Sequence, residues 1–231
     1  MRTVSDNLSC THSDVIEDFF ECLMISPGEL DLLLEKGFRH FGTLFFRYNT
    51  SPHENETFHV IPLRINLENF QSSRSQKRIF SRNRDIEVVF RDACIDGEKE
   101  RLFEIHRKRF KENIPASLYD FLSHVPAIIP CRTLECCFYL ERKLIAAGFM
   151  DVGDHSTSCV YTIFDTAYAK RSLGIFMILQ QVQYSLERGM SYVYHGYAYK
   201  ENSVYDYKKN FHGLECFDWA GNWNVFRKQP S

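Results

Sequence analysis

The chain has 231 residues, 44% of them hydrophobic and 15% aromatic, which places it among globular proteins with a large core and excludes a disordered chain. No apolar run approaches the roughly 18 residues that a membrane span needs, and the N-terminal stretch lacks the apolar core of an export signal. A cytoplasmic protein is therefore expected, with its eight cysteines reduced and mostly buried. The net charge of −2 argues against a surface that coats nucleic acid generally, but leaves room for a local basic patch.

Residues 14 to 22 suggest a short amphipathic helix. Ser26-Pro27-Gly28-Glu29 reads as a helix start, with a Ser cap, Pro at the first position and Glu three residues after the cap. That helix stops at Gly37. FRHFGTLFFRYN then alternates into one or two strands, and TSPHENET (50 to 57) reads as a polar loop. VIPLRI is a strand whose Pro62 predicts an edge or irregular position.

From Gln71 to Arg84 the chain reads QSSRSQKRIFSRNR, with five basic residues and no acidic one, helical from about Ser72. Such a run suits a polyanion, although most basic runs are simply solvated helix faces. A strand at Ile86 to Phe90, a charged helix at Glu98 to Lys111 and a second helical stretch near Ser117 to Leu122 follow. ECCFYL and KLIAAGFMDVG form a hairpin about Glu141-Arg142, in which adjacent Cys136 and Cys137 face opposite ways. Val160 to Asp165 is a short aromatic strand. The helix after it places Ile175, Leu179, Val182 and Leu186 on one face and stops at Gly189. Tyr192 to Tyr197 is a further strand, so strand, helix and strand make a βαβ unit with parallel neighbours. Tyr161, Asp165, Tyr197, Tyr207 and Lys208 gather where these strands end, which is where an active site is expected. After Trp219 the tail reads as loosely attached.

A hairpin followed by strand, helix and strand is the order of acyltransferase folds of the GNAT type. The expected class is therefore α/β (α+β): a GNAT-like fold with a mixed sheet, preceded by a small N-terminal α+β region. Such folds place a Gly-rich turn before the central helix to cradle a pyrophosphate. Here Lys170 to Phe176 carries one glycine, Gly174, with Phe176 where a second would stand.

Several blocks together resemble the aminoacyl-tRNA–protein transferases of the N-degron pathway, both arginyl and leucyl types. They are LLLEKGFRHFG (32 to 42), IPLRI (61 to 65), SSRSQKRIFSRNRDI (72 to 86), VYTIFD (160 to 165), RSLGI (171 to 175), YHGY (194 to 197) and YDYKKNF (205 to 211). The blocks are collinear across residues 30 to 215. The resemblance implies an N-terminal region over 1–70 and a catalytic domain over 71–231. It implies transfer of an aminoacyl group from tRNA to the α-amine of a protein whose first residue is acidic or an oxidised cysteine. Arg74, Lys77, Arg78, Arg82 and Arg84 are then the expected tRNA contacts. Arg39 and Arg64 are expected to read the acidic side chain, with Gly174 and Gly196 also at the substrates. Asp165 would accept a proton or orient the amine, and Tyr161, Tyr197, Tyr207 and Lys208 are candidate donors. On strands, Tyr161 and Tyr197 have a plain alternative as core residues.

Two departures stand out. The family's C-x-x-C-x-x-C cluster, which holds a metal or iron–sulfur centre, is missing: RYNTSPHENETFHVIPLRI contains no cysteine. No metal and no cofactor are therefore expected, with aminoacyl-tRNA itself as the donor. The second departure is His195, where the family has leucine; a tolerated strand histidine or a new acid–base group would both fit. An acyl-CoA-dependent N-acyltransferase and a non-catalytic relative that binds tRNA or acidic N-termini are the alternatives. The donated amino acid and the oligomeric state are not legible.

Overall fold

The computed structural model describes residues 15–53 and 56–227. Two antiparallel pairings join β1 (Glu17–Glu21), β3 (Leu44–Tyr48) and β2 (Arg39–Phe41) into a small sheet of order β1-β3-β2. The helix expected at residues 14 to 22 is thus a strand in its described part: pairing with β3 and stacking of Phe20 on Phe45 at 5.2 Å override the local pattern. Helix α1 (Pro27–Glu35) begins as expected, with Ser26 and Glu29 exchanging hydrogen bonds in a capping box.

The main sheet runs in the order β12-β11-β5-β10-β9-β8-β7-β6, with β4 (Thr50–His53) pairing only with β5 (Glu56–Asn66). Its other strands are β6 (Glu87–Asp92), β7 (Thr133–Leu140), β8 (Lys143–Val152), β9 (Ser156–Phe164), β10 (Tyr192–Tyr199), β11 (Leu214–Phe217) and β12 (Trp223–Val225). Part of the expected polar loop at 50 to 57 is therefore a hairpin. Strand β5 lies inside the sheet, between β11 and β10, rather than at an edge. Pro62 is tolerated there because the pairing with β11 ends at Leu63. The segment before residue 70 thus supplies an inner strand to the sheet of the segment after it. The tail also differs from expectation, since β12 pairs with β11 and Trp223 Nε1 donates to Glu35 O at 2.9 Å.

The βαβ unit forms as the sequence reads, with α4 (Leu173–Glu187) crossing between β9 and β10, the one parallel pair in the described sheet. Helix α4 and the basic helix α2 (Arg74–Arg82) cover one face, burying Ile79, Phe176, Met177 and Leu179 against Cys136, Phe138, Leu63 and Ile65. Helix α3 (Gly97–Arg107) covers the opposite face, burying Leu102 and Phe103 against Cys137, Ala147 and Phe149. Cys136 and Cys137 do face opposite cores. Gly148 lets α4 approach closely, since a Cβ there would lie 2.5 Å from Met177.

Candidate active site

Two bulges open a notch in the sheet. Strand β10 pairs with β9 only over Tyr192–Tyr194, opposite Ser156–Ser158. Just beyond, Val160 is the extra residue in β9 against β8, and His195 the extra residue in β10 against β5. A bulge bends its strand and raises local twist, so the parallel strands part at the point where both occur. The β10-facing edge of β9 is left without a strand partner from Cys159 onward.

Arg39 fills the apex of the notch. Its guanidinium donates to Ser158 Oγ at 2.9 Å, to Tyr194 O at 3.2 Å and to Cys159 O, tying the two strands where they separate. Lys208 enters from the single helical turn Asp206–Lys209, and its Nζ donates to Tyr197 O at 3.1 Å. Gly196 makes this approach feasible. It holds φ +99, and a Cβ there would lie 2.9 Å from Lys208 Nζ. Burial, together with the charge of Arg39, pulls the Lys208 ammonium down to about 8. His195 is buried, and burial pushes it down to about 3, so it is neutral and its Nε2–H donates to Lys208 O at 2.9 Å. It anchors the turn that carries Lys208 and is not poised to exchange protons near neutrality.

The tyrosines divide. The Tyr161 hydroxyl is buried without a hydrogen-bond partner, and its ring stacks on Phe121 at 3.7 Å. Burial raises it to about 12, which keeps it a neutral donor. Tyr207, 37% exposed, stands at the mouth of the notch and is also raised to about 12, by desolvation of its hydroxyl and by the neighbouring Tyr205. Tyr197 is different: its hydroxyl donates to Gly37 O at 2.6 Å, so the phenol is committed to holding the N-terminal region and only its carbonyl faces Lys208. Arg109 and Tyr205 complete the mouth, and sequence reasoning missed both. Arg109 lies over the Phe164 and Phe110 rings, at 5.1 and 5.3 Å, and acts electrostatically on Tyr161, Tyr205 and Tyr207. Lys208 Nζ lies 5.2 Å from the Tyr205 ring. Arg109 sits among charges just past α3, where no local pattern marks it. Tyr205 lies inside the YDYKKNF block beside residues that were singled out.

Three expected site residues lie elsewhere or are already engaged. Asp165 caps the helical turn after β9, accepting from Ala167 N at 3.0 Å and from Lys143 Nζ at 2.9 Å. Burial opposes its charge, but the Lys143 and Ala167 bonds outweigh it and hold the carboxyl below its usual range, unsuited to taking a proton. Arg64 is buried on the far side of β10. Its Nε donates to Glu215 Oε2 at 2.6 Å, and its guanidinium lies 3.8 Å from the Tyr192 ring and 4.4 Å from the Trp223 ring. Its carboxylate partner is internal. Gly174 does not cradle anything closely, because a Cβ there would meet only Phe164, at 3.8 Å. Phe176, two residues on, is a core residue.

The five basic residues of the 71 to 84 segment are exposed on and just beyond α2, while Gln76 of the same run is buried. Gln76 closes a capping box with Ser73, and its amide donates to Asn210 O at 3.2 Å, two residues past Lys208. At the other end Arg82 donates to Lys170 O at 2.7 Å and Asn83 to Arg171 O at 3.0 Å. The basic helix is thus strapped from the Lys208 turn to the start of α4, along one side of the notch. The segment in which the resemblance implies a cysteine cluster is the β3–β4–β5 ribbon. His53 packs on Phe58 there and His59 bonds Glu201 at 2.7 Å, so the described residues of this ribbon do not fit a metal or iron–sulfur centre.

Residues 43–218 match the family model described as "Arginine-tRNA-protein transferase, C terminus". Curated relatives named aspartate/glutamate leucyltransferase include one from Stenotrophomonas maltophilia strain K279a, 31% identical over 84% of this chain and 79% of its own. Another, from Aeromonas hydrophila, is 33% identical over 90% of this chain and 85% of its own. Among solved structures, L-PGS from Bacillus licheniformis has a TM-score of 0.48 at 13% identity, over 80% of this chain and 54% of that one. FemX has a TM-score of 0.47 at 10% identity, over 76% and 61%. The matched span holds every residue of the notch except Arg39, and on its extent the chain belongs to the arginine-tRNA-protein transferase family.

Proposed function

We propose that this chain transfers a leucyl group from aminoacyl-tRNA to the α-amine of a protein whose first residue is Asp or Glu. The observation that carries this reading is Lys208, held at about 8 in a notch bordered by an exposed basic helix. The amino acid follows the names of the relatives, and the family model's arginyl description makes arginine the competing donor.

The chemistry is aminolysis of an ester. An α-amine titrates near ~7.7–8.0, so a substantial fraction is neutral at physiological pH and attacks unaided. The carbonyl then gathers negative charge, which the Lys208 ammonium stabilises in a partly desolvated site. As the tetrahedral adduct collapses, Lys208 gives a proton to the departing ribose oxygen and regains one from the new amide nitrogen, so the proton count closes. In this reading Tyr161, a neutral buried phenol, shares the oxyanion as a second donor. Exposed Arg109, rather than Arg64, meets the acceptor's acidic side chain at the mouth. The tRNA acceptor end follows α2, whose cations neutralise phosphates without reading sequence.

The test is transfer of radiolabelled leucine or arginine from charged tRNA onto peptides beginning with Asp, Glu or Ala, with and without ribonuclease. Ribonuclease-sensitive leucine labelling of the acidic peptides alone is expected. Labelling by arginine only would overturn the donor, and labelling of the Ala peptide would overturn the acceptor. No labelling despite tight tRNA binding would leave a binding protein.

A further inference from the structure

Away from the notch, His40, Cys131 and Asp151 converge in the interior, with one ligand atom from each lying within 4.8 Å of the others. They are 4%, 3% and 0% exposed. They come from three separate segments: β2, the stretch leading into β7, and β8. His40 Nδ1 lies 2.9 Å from Gly42 O, which can only accept, so Nδ1 carries a hydrogen. In the neutral ring the Nε2 lone pair then points at Asp151 Oδ2, 2.9 Å away. Cys131 Sγ lies 3.8 Å from the same nitrogen. Three groups able to donate electron pairs therefore converge, and protons, such as that of the Cys131 thiol bonded to Asp151, or a metal ion must lie among them.

We infer that this trio binds one divalent ion of the zinc class. Imidazole nitrogen, thiolate sulfur and carboxylate oxygen are the donor set that ion takes. The supporting bonds match those of metal sites. The distal His40 nitrogen is fixed by a backbone carbonyl, and Thr133 Oγ1 donates to Asp151 Oδ1 at 2.7 Å, turning Oδ2 inward. For bond lengths of ~2.0–2.1 Å to N and O and ~2.3 Å to S, tetrahedral ligands lie about 3.4 Å (N to O) and about 3.6 Å (S to N) apart. The sulfur is already near that separation, and the carboxylate needs to withdraw by about half an ångström. A cavity of about 380 Å³ lies close by, lined by Phe41, next to His40, and by Ile129, two residues before Cys131.

The site would staple the small sheet to the large one. Arg39 precedes His40 on β2, and its guanidinium bonds Ser158, the cross-strand partner of Asp151. The ion would thus fix the strand that carries the apex of the notch, acting as a structural centre without contact to substrate.

Metal-free protein titrated with Co²⁺ alone provides the test. One equivalent is expected to give a thiolate-to-cobalt charge-transfer band together with tetrahedral ligand-field absorption, and Zn²⁺ is expected to displace it. Cys131→Ser should abolish the charge-transfer band while keeping the far-ultraviolet circular dichroism of the parent. Zn²⁺ should raise the melting temperature of the parent more than that of Cys131→Ser. No charge-transfer band, or one that survives Cys131→Ser, overturns the inference; the first result leaves a proton between His40 and Asp151. Because the readouts are spectroscopic and thermal, failure of the transfer reaction would not touch this result.

Discussion

Replacing Lys208 with Met removes the ammonium held at the point where the strands part, and the size of the effect follows from its surroundings. Its shift from 10.5 to about 8 corresponds to about 3 kcal/mol of disfavour for the charged form. The same desolvation strengthens its attraction for a developing oxyanion. Loss of such a donor lowers kcat by about 10² to 10³, and Lys208→Met is expected to fall in that range with the KM for aminoacyl-tRNA nearly unchanged. In the parent, kcat/KM should rise through ~7.7–8.0 as the acceptor amine loses its proton and fall above about 8 as Lys208 loses its own. Lys208→Arg keeps its charge at every pH assayed, so its alkaline limb should vanish while the acid limb stays. Initial rates of peptide labelling from pH 6 to 9.5, with tRNA-ester hydrolysis subtracted, read both limbs. An alkaline limb unchanged in Lys208→Arg, or near-parental rates in Lys208→Met, would refute the role.

Arg109→Gln should erase the preference for Asp and Glu over Ala peptides. Arg64→Met should leave that preference intact and destabilise the fold by about 3 kcal/mol, because Glu215 loses its partner; competition labelling and urea unfolding separate the two. Replacing Lys77 and Arg78 with Ala should weaken tRNA binding across all tRNAs and flatten its dependence on log salt by roughly 1 to 2, and filter binding between 50 and 200 mM salt would show an unchanged slope if α2 is only a solvated face. His195 binds a proton near 6.5 when unfolded but only at about 3 when folded, so folded stability is lost as pH falls through that window. Between pH 7 and 5 this amounts to about 2 kcal/mol. His195→Leu should remove that share of the acid sensitivity, and parallel urea curves at the two pH values check it. Gly196→Ala forces a side chain into φ +99 against Lys208 and should reduce transfer far more than its stability loss of about 1–3 kcal/mol.

What the sequence showed and what it hid differ by how far apart the determinants lie. The Ser26 cap and the opposed cysteines of β7 are local patterns, and both were readable; the α4 face was read only in part, since Leu179 and Val182 are buried but Leu186 is exposed and Gln181 is buried. The position of Tyr207 and Lys208 just beyond the end of β10 followed from the βαβ reading. Arg39 and Arg64 looked equivalent in the chain, and only the sheet distinguishes them: one sits in the notch, the other is paired with Glu215 behind it. Asp165 was misjudged because its partner, Lys143, lies in another strand. Strand β1 took its form from β3, 29 residues from Asp18 to Arg47, against its own local pattern. The bulges at Val160 and His195, which open the notch, carry no signature in one chain read alone.

The inner placement of β5 also sets the order in which the protein can be made. Ile65 pairs with Val193 on one side and with Leu214 on the other, so both neighbours are synthesised long after it. At ~5–20 residues per second of translation, an apolar strand with two open edges waits roughly 6 to 30 s for its partners. Pairings this distant also slow folding itself, since loop closure must precede any gain from contact. Nascent chains halted before Leu214 should therefore be sticky, protease-sensitive and bound by chaperones, while chains released past Trp223 close the sheet in one cooperative step.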